Sequence, residues 1–557
     1  AYWFNIYADR FMNWMRDKLY TPFLRFFMKH KFLGFAIPIT LLIITIGAIG
    51  GGVIRFTFFP NIASDRVAIS LKMPQGTHES ITDSIITEIE KAAWLVNEDF
   101  TARQEGNKRV IENITKQIGP GTALASLDIN LLPGEERNFP SFVIATAINE
   151  KVGQIPEAES VSFGSGSNFG GKPVSVSLLS NNIEELKAAK KLLKDYLIKN
   201  PLLKDISDND PAGIKEIKIT LKESAYAMGF QLNNVISQVR SGFFGNQAQR
   251  FQRRRDEIRV WVRFEKEQRS SLKDLDDMRI VSPSGARVPL REVANYEIQR
   301  GEISINHLDG KREIGIEGDL KDPSNSATEI MTEIKSEMLP IMEEQFPNVT
   351  AIFEGQNREA NKTVDSAKAI LPLIVFLIFV IIAFTFRSFS QPLLLLLMVP
   401  FSLIGVAWGH WIHGFPINIL SFLGIIALIG IVVNDGLVLI SKFNGYLKEG
   451  MKYDEAIIAA GKSRFRAIFL TSVTTVAGLT PLIFETSRQA QFLIPMAIAI
   501  AYGIILATIL TLVMLPLMLS TGNQVKVHWK WLITGNKPTR EEVESAIKEI
   551  QTELEAI

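Results

Sequence analysis

The sequence predicts an α-helical membrane bundle of six transmembrane helices carrying a large external α+β portion. Three observations predict it. Apolar residues gather into long uncharged blocks, although the chain as a whole is only mildly hydrophobic. Lys and Arg concentrate in alternate flanks of those blocks. The long polar stretch 55–368, between the first block and the second, alternates strand-like and helix-like periods.

A helix crosses a bilayer with ~20 apolar residues, each rising about 1.5 Å. Residues 32–54 contain no charge, and further apolar blocks occupy 369–386, 388–409, 414–434, 467–484 and 489–524. The block ending at Asn434 resumes after Asp435 and runs to Ser441, so its helix is expected to continue across the acid. The last block is longer than a span needs, and its helix is expected over 492–520.

Orientation follows from the short flanks. Residues 1–31 carry Arg10, Arg16, Lys18, Arg25, Lys29 and Lys31, and the 442–466 connection is similarly basic. The opposite connections, 410–416 and 485–491, hold Arg488 alone. Both termini are therefore expected in the cytoplasm, with 55–368 outside. The first span is too long, and too poor in a small-residue cleavage site, for a signal peptide. The chain opens on Ala1 rather than Met, which suits a piece of something longer. Phe11, Trp14, Tyr20, Phe23 and Phe26 interleave with the basic residues of 1–31, the pattern of an amphipathic helix along the inner membrane face. The Glu-rich tail beyond Gly535 is expected to be a solvated helix.

In the polar stretch, strand 67–73 precedes helix 79–97, strand 125–131, helix 141–152 and strand 160–163. The pattern recurs as strand 174–179, helix 183–198 and strand 216–220, then strand 313–320, helix 327–342 and strand 350–354. Two such sets predict two ferredoxin-like subdomains. The interruption, 221–300, has an alternating strand at 258–264, an Arg run (Arg250, Arg253, Arg254, Arg255) and a hairpin around Ser284-Gly285. Asp256 and Glu257 follow the Arg run, favouring a solvated face or subunit contact over phosphate binding.

Composition excludes several functions. Sixty basic residues balance 59 acidic ones, which gives no case for a nucleic-acid partner. Without cysteine there are no disulfides, thiolate metal sites or Cys nucleophile. No Walker, HExxH, GxSxG or dinucleotide motif appears, so neither ATP use, hydrolysis nor a cofactor is expected.

Specific motifs carry a resemblance. They are Phe59-Pro60 just past the first span, Gly171-Lys172-Pro173 entering a strand, and Gly285-x-x-Val288-Pro289-Leu290. Most telling are Gly430-Ile-Val-Val-Asn434-Asp435-Gly-Leu-Val-Leu-Ile440 and Arg464-Phe-Arg466-Ala-Ile-Phe-Leu-Thr471-Ser472. With six spans and one large external insertion, the chain resembles the carboxy-terminal half of a resistance-nodulation-division (RND) efflux transporter of the hydrophobe/amphiphile type. The resemblance implies an amphipathic helix at 1–31, a first span at 32–55 and a first porter subdomain at 56–170. It implies a second porter subdomain at 171–220 and 301–365, a docking subdomain at 221–300, five spans within 366–522 and a cytoplasmic tail at 523–557. It also implies a multi-pass protein of the bacterial inner membrane, with a periplasmic 55–368 region, that exports amphiphiles by proton antiport. The implied partners are the other RND half, from the same precursor or a separate chain, a trimeric assembly, a periplasmic adaptor, an outer-membrane channel and membrane lipid. Transport of lipids or envelope components, and a non-transporting scaffold or sensor, are the alternatives.

Asp435 is the leading candidate residue. An ionised Asp within a span costs roughly 2.5–3.5 kcal/mol on insertion scales, so it needs a partner or a purpose. A carboxyl that alternates between environments binds and releases protons; one that snorkels to the cytoplasmic surface does not. Asn434 offers a donor and an acceptor to the same network, although drug-efflux members carry Lys and Asn at these two positions. Arg464 either balances a carboxylate or anchors the inner face, and Thr471 either relays hydrogen bonds or bonds back to its own helix. By resemblance Phe169, in the Gly-rich run 164–171, lies near a substrate cleft, with a flexible linker as the alternative. His410 and His413 are spaced for one helical face, but no third metal ligand is near in sequence.

Overall fold

The computed structural model describes residues 2–59, 61–168, 170–211, 213–302, 304–322 and 325–555. Strands β1 (Asn61–Lys72), β2 (Ile111–Ile118), β3 (Leu124–Leu131) and β4 (Ser160–Asn168) form an antiparallel sheet in the order β2-β3-β1-β4. Along β3 every second residue is buried, Ala125, Leu127, Ile129 and Leu131, because successive side chains point to opposite faces. Helices Glu79–Arg103 and Ser141–Val152 cover that face with Ile86, Ile89, Ile144 and Ile148. The Gly-rich run belongs to β4 as far as Asn168, so it is a paired strand rather than a flexible linker.

The second sheet repeats the plan, but its second strand is 203–208 rather than the expected 216–220, which pairs within the separate unit of 210–305. Strands β5 (Val174–Ser180), β6 (Leu203–Asp208), β7 (Lys311–Leu320) and β8 (Thr350–Phe353) are antiparallel, with β7 between β6 and β5, and β8 on the other edge of β5. Apart from the short strand Asn306–Leu308, which hairpins onto β7, each sheet thus takes its strands in the order second, third, first, fourth, the interleaved pair of βαβ units of a ferredoxin-like sheet. Helix Ile183–Lys199 buries Leu186, Ala189, Leu193 and Leu197 on it. The helix expected over 327–342 widens into a π-turn at Ile334–Met338, directly before Pro340, which has no N–H to donate.

Pro74–Thr77 and Asp210–Ile305 form a separate compact unit. Its core is Phe230, Val235, Leu275, Ile280, Leu290 and Val293. Lys215–Leu221 pairs with Ala294–Arg300, and Arg279–Val281 with Arg287–Pro289 in the expected hairpin. A third pair, Asn246–Arg253 with Asp256–Val262, is a two-stranded ribbon exposed along nearly its whole length. Glu257 pairs with Arg250 and Arg259 there, as a solvated charge face does.

Among the described residues six helices are long and apolar enough to cross a membrane. They are α1 (Lys31–Gly50), α2 (Gly355–Phe386), α3 (Val399–His413, entered through the short helix Ser390–Leu396), α4 (Ile419–Lys448), α5 (Tyr453–Ile483) and a last one. That last helix is α6 (Arg488–Ile509), which runs through a π-turn at Leu510–Met514 into α7 (Leu515–Thr534). It outruns its expected end at Ser520, runs on through Gly522, and ends only at Gly535, whose φ of +73° caps it. Likewise α4 and α5 absorb most of the basic 442–466 connection.

At the amino end, Tyr2–Trp14, a π-turn and Thr21–Lys29 make an amphipathic helix that buries Tyr20, Leu24 and Phe27 and exposes Phe11, Trp14, Phe23 and Phe26. Asp9 pairs with Arg466 at 2.8 Å and Asp17 with Lys462 at 2.9 Å. The tail is not solvated as expected. Its helix α8 (Ser545–Glu555) is preceded by Val543 and Glu544, both buried against the end of the bundle.

Candidate functional site

Helix α4 begins with a capping box: Asn418 accepts from the Leu420 and Ser421 amides, and Ser421 accepts from the Asn418 amide. Past its middle lies Asp435, 7% exposed. Two glycines allow α4 to pack so tightly here. A Cβ on Gly424 would stand 2.7 Å from the Met496 carbonyl of α6, and one on Gly436 would collide with Leu395. The Asp435 carboxylate makes no hydrogen bond or ion pair among the described residues. A buried carboxylate without a partner is a costly arrangement.

The structure does not gather the other expected residues around it. Asn434 is exposed, on an outward stripe of α4 with Leu423, Ile426 and Gly430. It therefore does not join a buried network in this chain, because one residue along a helix turns the side chain about 100°. Thr471 is also exposed, and its hydroxyl donates to the Ala467 carbonyl at 2.8 Å. The inward hydroxyl is its neighbour Ser472, which lies 2.5 Å from Thr508 Oγ1 of α6.

Arg464 is partly buried, and its Nε has no hydrogen-bond partner. It makes no ion pair with Asp435 among the described residues. Instead it lines a cavity of about 570 Å³ at the end of the bundle with Arg387, Asn444, Lys448 and Glu549. Its neighbour Arg466 is the residue that binds Asp9. Phe169 lies outside the described residues.

His410 is fully buried. One ring nitrogen bonds the Val406 carbonyl at 2.9 Å and the other the Ser421 hydroxyl at 2.7 Å. His413 pairs with the Tyr502 hydroxyl at 3.0 Å. The two histidines thus hold separate helix contacts. Among the described residues no three His, Asp or Glu side chains converge as a metal site.

Sequence reasoning missed two polar groups inside the bundle. Gln391 and Asn444 form a reciprocal amide pair at 3.0 and 3.2 Å. Thr511, in the π-turn of the last helix, is buried with its hydroxyl unpartnered. Pro516 shortly after it was the only signal, since a proline favours a widened turn before it.

The AcrB/AcrD/AcrF family model matches residues 2–521. The chain belongs to this family. The match agrees with the RND resemblance carried by the Asn434-Asp435 and Arg464 motifs. The cobalt-zinc-cadmium resistance protein CzcA of Cupriavidus metallidurans is 25% identical over 354 residues, which are 62% of this chain and 33% of that protein. A cation efflux system protein CzcA of an Alcaligenes species matches with the same figures. Two crystal forms of a heavy metal efflux pump share the fold, with TM-scores of 0.75 and 0.74 at 19% identity, covering 91% and 90% of this chain. The chain spans about a third of the length of these curated relatives and about half of the solved structures.

Proposed function

We propose that this chain is one half of a proton-driven exporter of the bacterial inner membrane, with Asp435 as a proton-binding member of its relay. The supporting observation is a carboxylate buried within a membrane-type helix and unpartnered among the described residues, which a merely structural helix has no reason to keep. In this reading both termini are cytoplasmic and 55–368 is periplasmic. The two ferredoxin-like sheets, within 56–170 and within 171–209 with 306–365, are porter subdomains, and the separate unit of 210–305 docks to neighbouring subunits in a trimer. A periplasmic adaptor and an outer-membrane channel complete the path.

The other half is argued from the outward faces. Asn434 on α4 and Thr471 and Thr474 on α5 are polar and exposed within the membrane-type stretches of their helices, which suits contact with a second helix bundle better than lipid. There Asn434 and Thr471 meet the relay across the interface, and Arg464 supplies positive charge near its cytoplasmic end.

For cargo, the leading reading is a hydrophobic or amphiphilic compound. A cavity of about 190 Å³ where the second sheet meets the helices sets Phe56, Phe58, Met331 and Phe422 beside the amides of Gln356, Asn357 and Asn361, a mixed lining that suits an amphiphile. A second reading, export of divalent transition-metal ions, is favoured by the CzcA relatives. The test is Asp435→Asn in the complete pump, with proton-driven efflux of an amphiphilic dye and of zinc or cobalt measured in parallel. Efflux should collapse at unchanged membrane abundance and oligomeric state, and the substrate that moves in the parent protein decides between the cargoes. Full efflux in the variant would remove Asp435 from the relay.

A further inference from the structure

A third cavity, of about 860 Å³, lies where α7, α8 and the loop after α2 meet. Arg387, Lys526, Lys530 and Lys548 line it, against one carboxylate, Glu549. That carboxylate is already bound by Arg387 at 3.0 Å and Lys448 at 2.7 Å. Lys526 in turn pairs with Glu544 at 3.1 Å, so the four basic side chains meet two carboxylates and the lining keeps an excess of positive charge. Ser545 also lines it, and its hydroxyl is buried without a hydrogen-bond partner.

The rim is apolar. Phe389, Trp529 and Ile533 line the same cavity and are 81%, 67% and 69% exposed. They come from two separate elements, and Val525 and Leu532 extend the exposed apolar surface along α7. A site for a soluble anion has no use for such a rim, whereas a membrane interface sets aromatic side chains beside basic ones. The place in the fold agrees. Helix α2 leaves the second sheet at Gly355 and reaches Arg387 at the opposite end of the bundle, the end where the basic flanks gather.

We propose that this cavity binds the headgroup of an anionic phospholipid. Lys530, Lys548 and Arg387 face the phosphate, Ser545 supplies a hydroxyl, and the acyl chains lie along Phe389, Trp529 and Ile533. Basic pockets between helices at the cytoplasmic face suit such lipids. The site is independent of what the protein transports.

The full chain, purified in detergent and stripped of lipid, is titrated with phosphatidylglycerol or phosphatidylcholine of matched acyl chains and examined by native mass spectrometry. Phosphatidylglycerol should be retained preferentially, and Lys530→Gln with Lys548→Gln should weaken it about tenfold or more, given the usual worth of a basic residue at a lipid surface. Removing two exposed charges elsewhere, Arg25→Gln with Lys29→Gln, should leave retention intact. Glu549→Gln, which deletes the lone lining carboxylate, should tighten it, a gain that misfolding does not produce. Equal retention of the two lipids by the unmodified chain would overturn the proposal without any variant. So would equal loss in the Arg25/Lys29 control, or full displacement of the lipid by inorganic pyrophosphate, which would make the cavity a soluble-anion site.

Discussion

A Cβ placed on Gly171 would stand 3.0 Å from the Cα of Gly355. The two glycines, at φ +97° and +59°, let the entrance of β5 cross the start of α2 in backbone contact. The Gln356 amide donates to the Lys172 carbonyl at 3.2 Å, and Lys172 Nζ bonds Asp319 of β7 at 3.1 Å. The Gly171-Lys172-Pro173 motif therefore joins a membrane-type helix to the second sheet.

Gly355→Ala should break this crossing. Its Cβ would lie 2.5 Å from the Lys172 carbonyl oxygen, and its φ is one that alanine adopts only with strain. We expect destabilisation of more than ~1 kcal/mol, seen as a fall in the melting temperature of the detergent-purified chain. Gly478→Ala, in α5 with nothing within 4 Å of the added methyl, is the control and should be neutral or slightly stabilising. Matching behaviour of the two variants would refute the coupling.

The spans and most strands of both sheets were legible because burial imposes periods that sequence displays, as in the alternation of Leu127, Ile129 and Leu131 in β3. The edge strands β2 and β6 bury no alternate face and were missed, and 216–220, expected in the second sheet, pairs within the separate unit instead. What sequence could not display is which way a polar residue turns once helices pack. Asn434 and Asp435 are adjacent in one motif, yet one is exposed and the other buried; Thr471 and Ser472 repeat the lesson. The docked tail was hidden for a related reason. Its Glu-rich composition reads as solvated, but Glu544 is buried through partners, Asn523 and Lys526, that lie on another helix.

Asp205 gives a pH signature outside the membrane. Burial pushes its carboxyl above the ordinary carboxylate value, against the opposing effects of Lys204 and of the Phe163 amide, which donates to it at 2.9 Å. Because the folded value is the higher one, the stability this group contributes is complete below the unfolded value of about 4 and is lost as pH rises through the folded value. Asp205→Asn keeps an acceptor for the amide, and asparagine tolerates the residue's φ of 53°. Melting temperatures across pH 4 to 8 should show the variant level with the parent in acid and above it at neutral pH. Identical slopes would mean that the carboxyl titrates as in the unfolded chain.

The tail is held by a buried acid. Glu544, 2% exposed, accepts from Asn523 Nδ2 at 2.7 Å and pairs with Lys526 at 3.1 Å, while Arg540 pairs with Asp454 at 2.6 Å. Glu544→Ala deprives the buried Asn523 amide of this acceptor while Lys526 keeps contact with solvent, and leaving a buried polar group unsatisfied costs about 1–3 kcal/mol. Limited proteolysis should then cut within 536–555 many times faster, with the rest of the chain as resistant as before. Unchanged cleavage would show that Arg540 and the buried Val543 suffice to hold the tail.

The exposed ribbon of the separate unit should govern assembly. A two-stranded hairpin is at best marginally stable alone in water, yet this one presents Phe251 and Trp261, 46% and 43% exposed, to solvent. Trp261 meets Phe244 edge-on at 5.5 Å, so its ring is held in place while one side remains uncovered. We expect another chain to cover this apolar surface. Phe251→Ser with Trp261→Ser removes that surface without touching the unit's core of Phe230, Leu275 and Leu290. Native mass should shift from the oligomer to single chains, while the melting temperature of the dissociated protein stays within a few degrees of the parent's, since surface changes are usually worth less than about 0.5 kcal/mol. An oligomer that survives the double substitution would place the subunit contacts elsewhere on the molecule and leave the ribbon to another partner.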